Sequence, residues 1–147
     1  MSVNTKTLSV VKKYLASSSN FHPNLATLNF SVLGEGSCKA TYTVKKEDLN
    51  GHGTLHGGMM STLLNSCADF AAVSKSVGEV SNQTLSFNIQ CLRVGKLNET
   101  VSVEADIVKL GGKVIFLEGN LTGEDGKLLA KATQTKQVKP GPHPWFV

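Results

Sequence analysis

The sequence predicts an α+β fold, an antiparallel sheet of about six strands wrapped around one long central helix, with an additional N-terminal helix. Three observations carry this expectation. From Gly57 to about Val77 there is no proline, and Leu63, Leu64, Cys67, Ala68, Ala71 and Ala72 recur at helical spacing. Four strand-like segments follow with no helical pattern between them. The last three of these are joined by Gly111-Gly112 and Asp125-Gly126, dipeptides that suit tight hairpins because they tolerate positive φ. A doubly wound fold would need helices among the later strands, and the pattern supplies none.

Taken in order, Leu8, Val10, Val11, Tyr14 and Leu15 make one apolar face, so about Thr5 to Ser17 is expected to be helical. Leu25 to Leu33 alternates as a half-buried strand, Gly34-Glu35-Gly36 turns it, and Cys38 to Val44 is its hairpin partner. A helix of about 20 residues from Gly57 is about 30 Å long. Its residues are apolar or small nearly all round, which calls for burial. The later strands are expected at about Ser81–Leu92, Glu99–Leu110, Lys113–Thr122 and Lys127–Val138. The whole chain, 1–147, reads as a single domain, with the N-terminal helix within 1–20 and an irregular tail over 139–147.

Composition narrows the function classes. Hydrophobic content of 40% and charged content of 18% describe a globular protein, and no apolar run is long enough to span a bilayer. Three cysteines without a CxxC pair read as reduced, mainly buried thiols in an intracellular protein, cytoplasmic or mitochondrial. The acid-free start with Lys6, Lys12 and Lys13 shares features with a mitochondrial presequence. It lacks arginine, which favours a retained amphipathic helix. The net charge is +4, but the lysines are scattered and no nucleic-acid motif is present, so nucleic acid is not an expected partner. A small phosphorylated ligand accounts for the same charge. His52 and His56 lack a third ligand at metal spacing, and no metal is expected.

The chemistry concentrates where Asn50-Gly51-His52-Gly53-Thr54-Leu55-His56-Gly57-Gly58 runs into the long helix. A helix start leaves backbone N–H groups unpaired and partly positive, and glycine lets a ligand approach them. Such a site suits an anion, or a carbonyl oxygen that becomes one during reaction.

With this motif, Asn88, Lys96 and the Gly126-Lys127-Leu128 turn, the chain resembles the hotdog-fold acyl-CoA thioesterases over nearly its whole length. It is most similar to the thioesterase superfamily member two type, and more distantly to the phenylacetyl-CoA thioesterases. The resemblance implies hydrolysis of medium- or long-chain acyl-CoA to fatty acid and CoA, with no cofactor beyond the coenzyme A of the substrate. The Gly57 N–H would polarise the thioester carbonyl, and Asn50 and His56 would place the thioester or the attacking water. The family carries a carboxylate nine residues after the motif histidine, and here that position is Asn65. A carboxamide cannot take a proton near neutral pH. A family position that helps hold the water matches Thr84. Gly58, Arg93, Lys96, Lys109, Gly111 and Lys113 fall on the segments that bind CoA in relatives, while Gln137 stands where relatives place a histidine.

Gly57 and Asn65 lie about 12 Å apart along one helix, too far to serve one carbonyl from a single chain. A shared site therefore needs a second copy, and the resemblance implies a homo-oligomer, a dimer with shared sites and a dimer of dimers. Asp69, one turn beyond Asn65, is either a substitute base or an aspartate bonded to a neighbour. The alternatives to an active hydrolase are a weak or inactive acyl-CoA-binding protein on the same scaffold, or a partner in mixed oligomers.

Overall fold

The computed structural model describes residues 2–17, 20–76 and 80–144. Helix α1 (Thr5–Leu15) is followed by a 3-10 turn (Pro23–Thr27) and the hairpin of β1 (Asn29–Gly34) and β2 (Ser37–Thr43). A second short 3-10 turn (Lys46–Asp48) leads through the glycine-rich loop to α2 (Gly57–Ser76). Strands β3 (Val80–Cys91), β4 (Thr100–Leu110), β5 (Val114–Thr122) and β6 (Leu128–Pro140) complete the chain. All neighbouring strands are antiparallel, in the order β1-β2-β4-β5-β6-β3. This is the architecture expected, six strands around α2.

Helix α2 lies across the concave face of the sheet, against β2, β4, β3 and β5. Its Leu63, Leu64, Cys67, Ala68 and Ala71 are buried against Val101, Val103 and Ala105 of β4 and Leu117 and Leu121 of β5. Each such leucine contributes about 1.5–3 kcal/mol by leaving water, so this packing holds the helix in place. Helix α1 is capped by Asn4, whose side chain accepts from the Thr7 N–H at 2.9 Å, and it buries Val11 and Leu15.

Three local expectations are corrected. The strand expected from Leu25 begins only at Asn29, because Pro23 occupies the first turn of a 3-10 helix that His22 caps through Asn24 N–H. Strand β6 continues to Pro140, so the tail starts two residues later than expected. The β4–β5 turn forms at Gly111-Gly112 without positive φ at either glycine. Gly111 is needed for space instead, since a Cβ there would collide with the Val114 carbonyl oxygen. Gly126 does take positive φ, at 79°. Val77, the expected helix end, and residues 145–147 of the tail lie outside the described residues.

Strand β3 is an edge of the sheet, and its pairing with β6 slips between Thr84 and Ser86. On β6 the buried Ala130, Ala132, Gln134 and Lys136 alternate toward the helix. Thr84 pairs with Lys136 and faces α2, whereas Ser86 pairs with Thr135 and faces outward. In an unbroken strand residues two apart share a face. The bulge at Leu85 is what turns Thr84 inward.

Candidate active site

The glycine-rich loop is anchored from below by Asp48, which is buried. Its carboxylate accepts from the Tyr42 hydroxyl at 2.6 Å and the Lys45 N–H at 2.8 Å, and its carbonyl accepts from the His56 N–H at 2.8 Å. Burial first, then the bond to and charge of Asp48, raise the Tyr42 phenol above its usual value, so it stays a donor. Asn50 closes the loop above: its Oδ1 accepts from the His52 N–H at 3.0 Å and from the Thr54 N–H at 3.1 Å.

His56 caps α2. Its Nδ1 accepts the Gly58 N–H at 2.8 Å, which places the ring hydrogen on Nε2 in the neutral imidazole. Gly58 is tied to that cap, since a Cβ there would stand 2.9 Å from Nδ1. Gly57 differs. Its N–H has no acceptor among the described residues, and a Cβ on it would meet only Cys91 Sγ, at 3.9 Å. Neither packing within the chain nor positive φ demands a glycine at 57. The donor and the open space together suit an incoming oxygen.

Gly57 opens onto a cleft of about 300 Å³ lined by Asn50, Leu55, Met60, Cys91, Leu92 and Arg93, among others. Arg93 and Val94 also border a neighbouring cleft of about 560 Å³ that contains Lys96. Glu99, Glu124 and Asp125 line that second cleft too, so its charge is mixed. The His56 ring and Gly58 border a different cavity of about 290 Å³, with Phe21, Leu49 and Met59. The structure thus brings Asn50, Gly57 and Arg93 to one cleft and turns the His56 ring and Gly58 to another.

Asn65 and Thr84 come together two turns further along α2. The Thr84 hydroxyl donates to Asn65 Oδ1 at 3.4 Å and accepts from Lys136 Nζ at 2.7 Å. Lys136 also pairs with Asp69 Oδ1 at 2.5 Å. The Lys136 side chain is fully buried and that of Asp69 is 30% exposed. A buried ammonium needs such a partner. Asp69 is thus bonded to a neighbour, Lys136. Burial, and secondarily the Asp69 charge, raise the Tyr14 phenol; burial lowers the His143 imidazole despite Asp69. The sequence reading did not single out Lys136. Its signal was phase: it falls in step with Ala130 and Ala132 on the inward face of β6.

Lys109, Gly111 and Lys113 lie at the other end of the sheet from Gly57. Cys91 pairs with Ala130, whereas Val114 pairs with Gln137, seven residues along β6 and so about 23 Å away. Lys109 Nζ sits 6.0 Å from the Phe116 ring centre, on the outer face of the sheet.

A family model described as the thioesterase superfamily matches residues 52–130, from the glycine-rich loop to the start of β6. The chain belongs to the thioesterase superfamily. Its match to the superfamily includes Gly57, Asn65 and Thr84 but ends before Lys136. Human acyl-coenzyme A thioesterase 13 is 28% identical over 135 residues, covering 91% of this chain and 96% of its own. The crystal structure of zebrafish thioesterase superfamily member 2 superposes with a TM-score of 0.82 at 25% identity, covering 95% of this chain and 99% of that one. A Streptococcus mutans protein, solved bound to acetyl-CoA, superposes with a TM-score of 0.74 at 26% identity, covering 79% and 91%. The hotdog fold and the thioesterase superfamily member two type, both implied by the motif, agree with these relatives.

Proposed function

We propose that this protein is an acyl-CoA thioester hydrolase acting on medium- or long-chain fatty acyl-CoA. The observation that carries the reading is the unpartnered Gly57 N–H at the start of α2, facing open space beside a cleft lined by Leu55, Met60 and Leu92. The thioester carbonyl oxygen docks on that N–H. Water adds to the carbonyl carbon, negative charge gathers on the oxygen, and the C–S bond breaks to release the CoA thiol and the fatty acid. A helix-start donor is worth most at the stage when the oxygen is charged. Human acyl-coenzyme A thioesterase 13 and the acetyl-CoA complex of the Streptococcus mutans protein support the substrate class.

The site is completed by a second copy of the chain. Within one copy Gly57 and Asn65 are about 12 Å apart on α2, and Arg93 and Lys113 lie at opposite ends of the sheet. Strand β3 is an unpaired edge of 12 residues carrying exposed Leu85, a surface that a second β3 can extend. Antiparallel pairing of two such edges sets Thr84 and Asn65 of one copy toward the Cys91 and Gly57 end of the other. It also brings Lys109 and Lys113 of one copy to the end occupied by Arg93 and Lys96 of the other, where the CoA phosphates need cations.

A second reading is favoured by one observation: Asn65 occupies the place of the family carboxylate, and the nearby Asp69 is committed to Lys136. On that reading the protein binds acyl-CoA without cleaving it. Steady-state hydrolysis of an acyl-CoA length series, with Asn65→Asp measured alongside, decides. Wild-type turnover above background supports the hydrolase; background rates that Asn65→Asp raises overturn it and leave the binding protein.

A further inference from the structure

The four side chains Asp69, Lys136, Thr84 and Asn65 form one chain of hydrogen bonds with a direction built into it. An ammonium has three hydrogens and no lone pair, so Lys136 Nζ can only donate, to Asp69 Oδ1 at 2.5 Å and to Thr84 Oγ1 at 2.7 Å. The Thr84 oxygen is thereby an acceptor, and its single hydrogen is given to Asn65 Oδ1, at 3.4 Å. Reversing the Asn65 amide would give up the Thr84 O–H···Oδ1 bond and set a second donor beside an oxygen that already receives the ammonium. In the structure the carboxamide turns its oxygen to Thr84, which leaves its Nδ2 hydrogens for another partner.

We infer that Lys136 is a positioning residue whose ammonium, acting through Thr84, makes Asn65 a hydrogen-bond donor to the thioester carbonyl oxygen. The assignment rests on the acyl-CoA hydrolase reading and on the shared site proposed above. It gives Asn65 a role different from that of a carboxylate at the same place. An acceptor would draw a proton from water; a donor stabilises the oxyanion, beside the Gly57 N–H of the other copy. Asp69 completes the device. Its carboxylate is the counter-charge that a buried ammonium needs, and it is engaged with Lys136 through Oδ1. The Leu85 bulge is part of the same arrangement, because without it Thr84 would face away from both.

The test combines kinetics with a reading that does not need turnover. In the intact protein, Asn65→Leu and Asn65→Asp are each expected to lower kcat about a hundredfold, the latter because a carboxylate cannot donate and repels the oxyanion. Lys136→Met combined with Asp69→Leu removes the ion pair without leaving a lone buried charge, and is expected to lower kcat about tenfold with KM little changed. Adding Asn65→Leu to that pair is expected to cost no more than Asn65→Leu alone, because Lys136 acts only through Asn65. Thr84→Val is expected to reproduce the tenfold loss and Thr84→Ser to restore it, which provides the same comparison should the paired variant fail to fold.

Faster hydrolysis by Asn65→Asp from an active wild type, or a loss in the combined variant equal to the product of the separate losses, overturns the inference while leaving the hydrolase reading intact. Should the wild type turn over nothing, the hydrolase reading fails by itself, and nuclear magnetic resonance of the Asn65 side-chain amide decides the donor role. The amide signals are assigned by their loss in Asn65→Leu and followed on adding a non-hydrolysable ketone analogue of an acyl-CoA. A shift in wild type that is absent in Thr84→Val supports the donor; no shift on saturation with the analogue overturns it.

Discussion

The Nδ1 of His56 accepts the backbone N–H of Gly58 at 2.8 Å, so the histidine of the loop motif is the cap of the long helix. The bond divides the motif by function. His56 and Gly58 are engaged with each other, whereas the N–H of Gly57 between them has no acceptor among the described residues and faces open space. The two adjacent glycines are there for different reasons, and substitution separates them.

Gly58→Ala is expected to push the His56 ring off its cap and lower stability by about 1 kcal/mol, as His56→Ala does directly. Gly57→Ala is expected to leave stability unchanged or raise it by less than about 1 kcal/mol, since alanine favours helix and the space is open. Its acyl-CoA hydrolysis is expected to fall on the order of a hundredfold, because the methyl keeps the carbonyl from the donor. Urea unfolding together with steady-state rates checks both halves of the contrast.

Tyr42→Phe removes the 2.6 Å bond to Asp48 and leaves a buried carboxylate oxygen with one donor fewer. The expected cost is about 1–3 kcal/mol. Asp48 also holds His56 through its carbonyl, so the variant should show faster amide exchange in the glycine-rich loop than in α2. Hydrogen exchange of the two segments measures this.

His143 makes stability depend on pH. Burial lowers its folded-state pKa below the ordinary 6.5, and the charge of Asp69 offsets part of that shift. The unfolded chain therefore takes up the proton more readily than the folded one. Its contribution is fully present above about pH 6.5 and is lost as the pH falls through the lowered folded value. Urea midpoints measured across this range should decline on acidification, and less so in His143→Leu.

The shared-site proposal makes the edge strand essential. Leu85→Asp places a charge on the 58%-exposed leucine of β3, where a second copy would pair. Light scattering is expected to show a wild-type dimer or tetramer and a monomeric variant that has lost hydrolysis. A monomeric wild type with full activity would rule out the shared site.

The helices and the hairpins followed from local pattern. The period of Leu63, Leu64, Cys67 and Ala68 specifies a buried helix, and Asp125-Gly126 specifies a turn with positive φ at Gly126, because neither depends on what lies far off in the chain. The loop motif likewise pointed to Gly57 through chemistry that resides in consecutive residues. Contacts across the sheet were out of reach. The requirement for Gly111 comes from the Val114 carbonyl folding back on it, not from its own φ. Lys136 looked like any other lysine of a basic strand until β6 was seen to turn it beneath α2, where burial obliges it to pair with Asp69.

Element order, the long buried helix and the open donor at its start are all properties of short stretches of chain and can be read from them directly. The direction in which Thr84 faces is not such a property. One extra residue at Leu85 reverses the side-chain alternation of β3, and a bulge depends on the register between two strands, which no single segment contains. That reversal puts the hydroxyl between Lys136 and Asn65, on the side of the sheet where α2 lies.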